Sequence, residues 1–373
     1  MKSEKPSSRL LTFDLLRGYF LLSIILNHLY WYPSGLDIVA ARGDLFVTAA
    51  EGFFLISGII LGIVRGHRLI DQPFKKAAIL LIKRGIHLYA TSIILMLIFT
   101  LIGWFFFLDN PGLKPGIRPV TESFLSVLGG ALTFNYIYGW ADYLRLYSIF
   151  LLASPIALWL LRKGKWYILT GLSVVIWLLF PASGTSPISN ELLMPIAWQL
   201  IFFGGFTIGF YWPKLTAWWQ DLSEHVQKNV MGTIASVAII TIVANITLFF
   251  GKNLPGGTGE VLTHAYNATL PFFTKESLPL PRILLFATWF SFGFWFLHRY
   301  EHLIVRWFGW ILIPFGNNSL YVYIIHAFVL FFAHLIMWQA SPNILLNLVG
   351  SLVIVGLIWL SVRHKFLMNI IPR

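Results

Sequence analysis

The sequence predicts an all-α integral membrane protein, a polytopic bundle of about ten transmembrane helices with both termini cytoplasmic. Three observations predict it. The 373 residues are 57% hydrophobic and 11% charged, with a mean hydropathy of +0.75. Apolar runs of about 20 residues, enough to cross a bilayer core, recur along the whole length. Lys and Arg gather in the short segments between alternate runs, as they do at the cytoplasmic ends of spans. Composition also excludes chemistry. The absence of Cys rules out disulfides, cysteine metal sites and a cysteinyl acyl-enzyme. The net charge of +12 alone would suit a nucleic-acid binder. The basic residues lie in short loops between spans, so neither a nucleic-acid partner nor a bound metal is expected.

One transmembrane domain is expected over residues 1–373. Its spans fall near 10–31, 46–64, 85–107, 143–161, 166–182, 194–211, 229–250, 281–298, 318–338 and 344–362. The opening MKSEKPSSR is basic and precedes an apolar stretch, as in a signal peptide. That stretch is too long, contains Asp14 and Arg17, and lacks a small-x-small cleavage site, so it reads as a retained first span. With the N-terminus inside, nineteen of the 27 Lys and Arg fall on the inner side and seven on the outer, with Arg17 in the membrane. Arg145 and Arg282 are counted among the outer seven. The apolar piece 124–138 could be a re-entrant or interfacial helix. Residues 251–280 read as an ordered outer loop, and 211–228 as an amphipathic surface helix.

The first span carries the strongest functional signal. An ionisable side chain at membrane depth costs roughly 2.5–3.5 kcal/mol on insertion scales, and this span holds Asp14, Arg17 and His28. An 11-residue step ends about 20° from three full turns, so Arg17 and His28 share a face about 16 Å apart. Asp14 and Arg17 can pair at i, i+3, as a structural ion pair or to present the guanidinium to an anionic ligand. On the second span, Glu51 lies at nearly the depth of His28. It could accept the His28 Nδ1 proton and leave Nε2 as a base, or pair with another cation. Gly52, Ser57, Gly58 and Gly62 form a small-residue face, suited to close helix packing or to a thin ligand chain. Arg84 and His87 open the third span, where they could face phosphates or simply anchor it. Trp198 and Gln199 open the sixth. On the ninth, Ser319, Tyr323 and His326 form a polar stripe at i, i+4 and i+7, with Asn317 and Asn318 at its inner end. Pro314 and Gly316 just before it suit a helix break.

These residues resemble a known family. Arg17, ten residues, then His28 matches the hallmark of the membrane acyltransferase-3 superfamily, and FDLLRGYFLLSIILNH, AAEGFFLISG and GNNSLYVYIIH are similar to its first, second and late elements. Within it the chain most resembles the OpgC, or glucan succinyltransferase, family, on DLFVTAAEGFFLISG, ADYLRLYSIFLLASP and MPIAWQLIFFGGF. The likeness runs from Phe13 to about His326. It implies an inner-membrane O-acyltransferase that uses cytosolic acyl-CoA and has no permanently bound cofactor. The acceptor would be a hydroxyl of an extracytoplasmic or lipid-linked glycan, and membrane lipids its surroundings. The positions matching the family are Arg17, His28, Glu51, Ser57, Asn318, Ser319 and His326. Asn317 stands where an arginine is expected, and Arg145 where a proline is.

The chemistry implied is transfer of an acetyl or succinyl group from thioester to hydroxyl. His28 would be the base and Glu51 its orienting partner. Asp14, Arg17, Ser57, Arg84, His87, Asn318, Ser319, Tyr323 and His326 would bind the donor or steady the transition state, with Asn318, Ser319 or Tyr323 as oxyanion donors. A covalent acyl-His or acyl-Ser route is the alternative. The rival reading is a transporter or flippase, although no internal repeat is evident. A non-catalytic scaffold is a further rival, disfavoured by the insertion cost of Asp14, Arg17, His28 and Glu51.

Overall fold

The structure, a computed structural model, describes residues 11–113, 117–179 and 190–371. Lys2, Lys5, Arg9, Lys114 and Arg373, and the end of the 166–182 span, lie outside the described residues. Among those described, all regular structure is helical. In chain order the helices are α1 (Leu11–Leu29), α2 (Ala49–Leu61, running into a π-turn to His67), α3 (Phe74–Phe106), α4 (Phe124–Leu132), α5 (Asp142–Arg162), α6 (Trp166–Leu178) and α7 (Asn190–Phe210). Then come α8 (Trp212–Asp221), α9 (Glu224–Gly251), α10 (Gly257–Thr269), α11 (Leu280–Arg299), α12 (Glu301–Asn317), α13 (Ser319–Ile336) and α14 (Ile344–Arg363).

Seven spans in the described residues are long and apolar enough to cross a membrane: α2 with its π-turn, α3, α5, α9, α11, α13 and α14. The pair α7–α8, bent by 69°, makes an eighth if it is one span. The count thus falls short of the expected ten. Helix α1 has the length, but Asp14, Arg17, Asn27 and His28 dilute its apolar character. Helix α6 has 13 residues and is short.

Two expected boundaries are corrected. Helix α3 begins at Phe74, eleven residues before the expected span. Nothing between Pro73 and Phe107 breaks a helix, and the added stretch FKKAAILLIKR is rich in good helix formers. Its 33 residues extend about 50 Å, beyond a hydrocarbon core of about 30 Å. Residues 299–317, read as an inner loop, instead form the end of α11 and all of α12. Pro314 lies inside α12. Its ring leaves the Trp310 carbonyl without the usual i+4 donor. The Trp359 indole of α14 donates to that carbonyl at 2.9 Å.

Lipid offers no hydrophobic drive between helices, so close packing must hold them together. Helices α1 and α12 meet backbone to backbone: a side chain at Gly18 would strike the Leu312 carbonyl, and one at Gly316 the Asp14 carbonyl. Gly58 and Gly62 of α2 face the backbone of α7 in the same way. The small-residue face of the second span is therefore a helix contact. Beside it lies an aromatic core, with Phe54 5.2 Å from Trp198 and Phe150 5.2 Å from Phe202 between ring centroids. Such pairs contribute about 0.5–1.5 kcal/mol each beyond area burial.

The 124–138 piece folds back along α3 and returns, re-entrant in its path relative to that helix. The Tyr89 hydroxyl donates to the Leu132 carbonyl at 2.7 Å. Tyr89 lies seventeen residues, about 25 Å, before the Phe106 end of α3. The chain then climbs back past Thr100, bonded to the Tyr136 hydroxyl at 2.7 Å. Irregular backbone at such depth is tolerated only inside protein or along a cavity, and Tyr136, Tyr138, Trp140 and Ala141 are buried. Residues 251–280, expected as an outer loop, are ordered by α10 and the turn Leu270–Phe273. Of the residues 211–228 expected as one surface helix, 212–221 form α8, with Leu215 and Trp218 exposed, and 224–228 open α9.

Candidate active site

Helices α1 and α13 carry the polar residues of the site, and they lie side by side. Arg17 Nη2 donates to Ser319 Oγ. Eleven residues further along α1, His28 Nδ1 lies 3.2 Å from His326 Nε2. Arg17 and His28 thus address one neighbouring helix, as their spacing predicts. Beyond them, His334 Nε2 lies 3.1 Å from the Leu29 carbonyl.

The histidine pair has a defined proton order. His326 Nδ1 faces the carbonyl of Tyr323, one turn back. A carbonyl only accepts, so this nitrogen carries the proton, and in a neutral ring Nε2 is then an acceptor. His28 Nδ1–H must therefore be the donor between the rings, which puts the His28 lone pair on Nε2. The expected tautomer of His28 results, but its fixing partner is His326.

Glu51 is the principal correction. Its carboxylate is fully buried and turned away to other partners. Oε1 accepts from Arg282 Nε at 2.6 Å, and Arg282 Nη2 also bridges to it. Oε2 accepts from Thr48 Oγ1 at 2.5 Å and from the Thr48 N–H at 3.2 Å. Thr48-x-x-Glu51 is a capping box, in which the N3 carboxylate folds back on the helix start. That spacing is legible in the sequence, and equal depth on two helices does not fix the direction in which a side chain points. Arg282 also donates to the Phe273 carbonyl at 2.6 Å, so the pair ties α2, α11 and the 251–280 segment together. Arg282, counted as an outer-loop cation, is instead interior. So is Arg145, whose Nη1 donates to the Phe134 carbonyl at 3.2 Å.

Around Arg17, the charges of Asp14 and Arg84 and the hydroxyls of Tyr143 and Tyr147 lie close enough to act on it. Ser57 Oγ is 3.3 Å from the Tyr143 hydroxyl. His87 is exposed. Tyr143 links this lower group to the upper one, its ring 5.1 Å from that of Tyr323. Of the expected oxyanion donors, Tyr323 is already committed and Asn318 has one of its two amide protons engaged. The Tyr323 hydroxyl donates to the Trp140 carbonyl at 2.8 Å, and Asn318 Nδ2 to the Pro314 carbonyl at 3.0 Å. Ser319 accepts from Arg17 and keeps its own proton to donate. Gln199 and Trp198 are satisfied by backbone carbonyls of Ser173 and Lys275.

Trp140 is the residue the sequence reading misses. It holds a left-handed backbone conformation, φ 58°, at the end of the re-entrant segment. Such a conformation costs a bulky residue about 1–3 kcal/mol and tends to occur at functional sites. Its ring stacks on His334 at 5.3 Å and lies 6.4 Å from His28.

A family profile described as OpgC protein matches residues 9–369, nearly the whole chain. The chain belongs to the OpgC family. No curated protein and no solved structure matches it significantly. The matched stretch takes in both helices of this OpgC-family site and the re-entrant segment between them.

Proposed function

We propose that this protein is a membrane O-acyltransferase, moving an acetyl or succinyl group from cytosolic acyl-CoA to a hydroxyl of an extracytoplasmic or lipid-linked glycan. The OpgC family is one of succinyltransferases that act on glucans, and membership supports the reaction class. The observation that carries the reading is the His326–His28 hydrogen bond, which leaves the His28 lone pair on Nε2, on a helix face shared with Arg17.

A hydroxyl attacks slowly at neutral pH unless a base takes its proton. In this reading His28 Nε2 takes the acceptor proton as the oxygen attacks the thioester carbon. A C–O bond forms, the tetrahedral intermediate collapses, the C–S bond breaks, and the CoA thiolate leaves with the proton that His28 returns. Ser319 supplies a hydroxyl donor, and Arg17 with Arg84 holds the anionic donor from the basic end. Direct transfer needs no acyl-enzyme. The protein would sit in the cytoplasmic membrane, with donor and acceptor meeting across it.

The test is vesicle-based. Acyl-CoA labelled in its acyl group is supplied at the basic face, with glycan at the other. An acyltransferase leaves label covalently attached to glycan. Transport or flipping without attached label would refute the proposal.

A further inference from the structure

A cleft of about 370 Å³ opens at the basic end of the bundle, between α12, the start of α13 and the end of α14. Trp310, Trp359, Pro314, Asn317, Asn318 and Arg363 line it. Apart from Asn318, none of them belongs to the machinery described above, and Asn318 directly precedes Ser319, which accepts from Arg17. The cleft thus adjoins the Arg17–Ser319 end of the polar stripe.

Its chemistry is specific. Trp310 is 60% exposed, so an indole face is presented outside the core. Trp359 meets it edge-on, with ring centroids 5.6 Å apart and planes at 80°. The Arg363 guanidinium lies 5.1 Å over the Trp359 ring. The cleft therefore offers flat aromatic surface, one cation close to it, and the side-chain amides of Asn317 and Asn318. Bases stack on aromatic rings and guanidinium planes, and phosphates pair with arginine.

We propose that this cleft binds the nucleotide end of the acyl-CoA donor, with the adenine on Trp310 and a phosphate at Arg363. The inference rests on the acyl-CoA reading above. Geometry favours it over a lipid headgroup. From Asn318 to His326 is eight residues, about 12 Å along α13, and an extended pantetheine arm is longer than that. A donor seated here can lay its arm past Ser319 and Arg17 and bring its thioester to His28. A lipid headgroup would gain nothing from that continuity.

The experiment compares two donors on the full-length protein in vesicles: acyl-CoA, and the same acyl group on pantetheine, which lacks the nucleotide. Trp310→Ala and Arg363→Gln should each raise KM for acyl-CoA about tenfold or more, with kcat little changed and KM for acyl-pantetheine unmoved. Trp310→Phe, which keeps a ring, should restore most of the loss and shows that folding is not the cause. Equal effects on both donors, or none on either, would overturn the inference. Direct binding of unacylated CoA separates it from the broader reading. If the wild type transfers no acyl group yet binds CoA, and the variants bind about tenfold more weakly, the cleft assignment stands while the enzyme reading falls. No CoA binding by the wild type sinks the cleft. Repeating the series in neutral and anionic lipid tests the other occupant: an effect of the variants that follows anionic lipid content rather than donor type would assign the cleft to a headgroup and reject the proposal.

Discussion

Replacing His326 with Phe isolates the positioning of His28. Phe fills similar space and keeps the ring contact with Tyr323, now 4.6 Å between centroids, but it cannot accept. The His28 Nδ1–H loses the acceptor that the structure places 3.2 Å away. Leaving a fully buried donor unsatisfied costs about 1–3 kcal/mol, an upper range for the half-buried His28, and the ring is no longer held in the tautomer with its lone pair on Nε2. If that cost falls on the reacting state, each 1.36 kcal/mol is tenfold in rate, so kcat should fall about five- to 150-fold. His28→Ala removes the base altogether and should cost about 10²–10⁴. The assay is acyl transfer to glycan in vesicles, with kcat and KM measured separately across pH. A positioning role predicts a loss mainly in kcat, with a changed pH profile and partial rescue by His326→Gln, whose side-chain oxygen can accept. His326→Phe with wild-type kcat and pH profile, beside an inactive His28→Ala, would refute the relay.

Other perturbations separate structure from chemistry. Glu51→Gln should destabilise by about 3–5 kcal/mol, because it strips the buried Arg282 of its counter-ion; thermal unfolding in detergent reads the loss, and the folded fraction should keep a kcat near wild type. Arg17→Ala should raise KM for the donor and leave that for the acceptor alone, measured in the same vesicle assay. Gly316→Val should part α1 from α12 and greatly reduce folded yield, whereas Gly171→Val, where a Cβ meets nothing within 4 Å, should not. Asp37 lies in the connection after α1. Burial there would raise its pKa, but hydrogen bonds from the Ser34 N–H and Arg42 outweigh burial and hold it below the usual carboxylate range. Its contribution to stability is therefore complete above the unfolded value near 3.9 and lost as pH falls through the lowered folded value. Asp37→Asn should flatten the acid limb of a melting temperature–pH curve.

The track along α1 is legible in the sequence because it depends only on helical periodicity. Arg17, His28, Ser319 and His326 each lie on a regular helix, and their spacings fix which face they share. What the sequence hides depends on partners. Depth along α2 places Glu51 near His28, but the carboxylate points where the capping box and Arg282 direct it. Hydropathy sets the expected start of α3 at 85, although Lys75 and Lys76 are good helix formers and the helix has no reason to stop. Helix α12 escapes detection because Pro314 and Gly316 read as breakers. One has its lost hydrogen bond replaced by Trp359, and the other is what lets α12 lie against α1. Trp140 has no sequence signal at all, since its left-handed backbone follows from a re-entrant segment whose depth only the fold reveals.

These features share one cause. A buried polar group in lipid has no water to satisfy it, so each must find a partner, often on a different helix. Arg17 and His28 find theirs on α13, Glu51 on α11, and Tyr323 on the re-entrant segment. Every such bond also fixes the relative position of two elements. The polar residues that would carry the chemistry are therefore the ones that hold α1 against α13 and the re-entrant segment against both. For that reason a variant such as His326→Phe must be judged by kcat and by unfolding together. A loss of activity with unchanged melting assigns the pair to catalysis, and a parallel loss of both would make it a strut of the bundle.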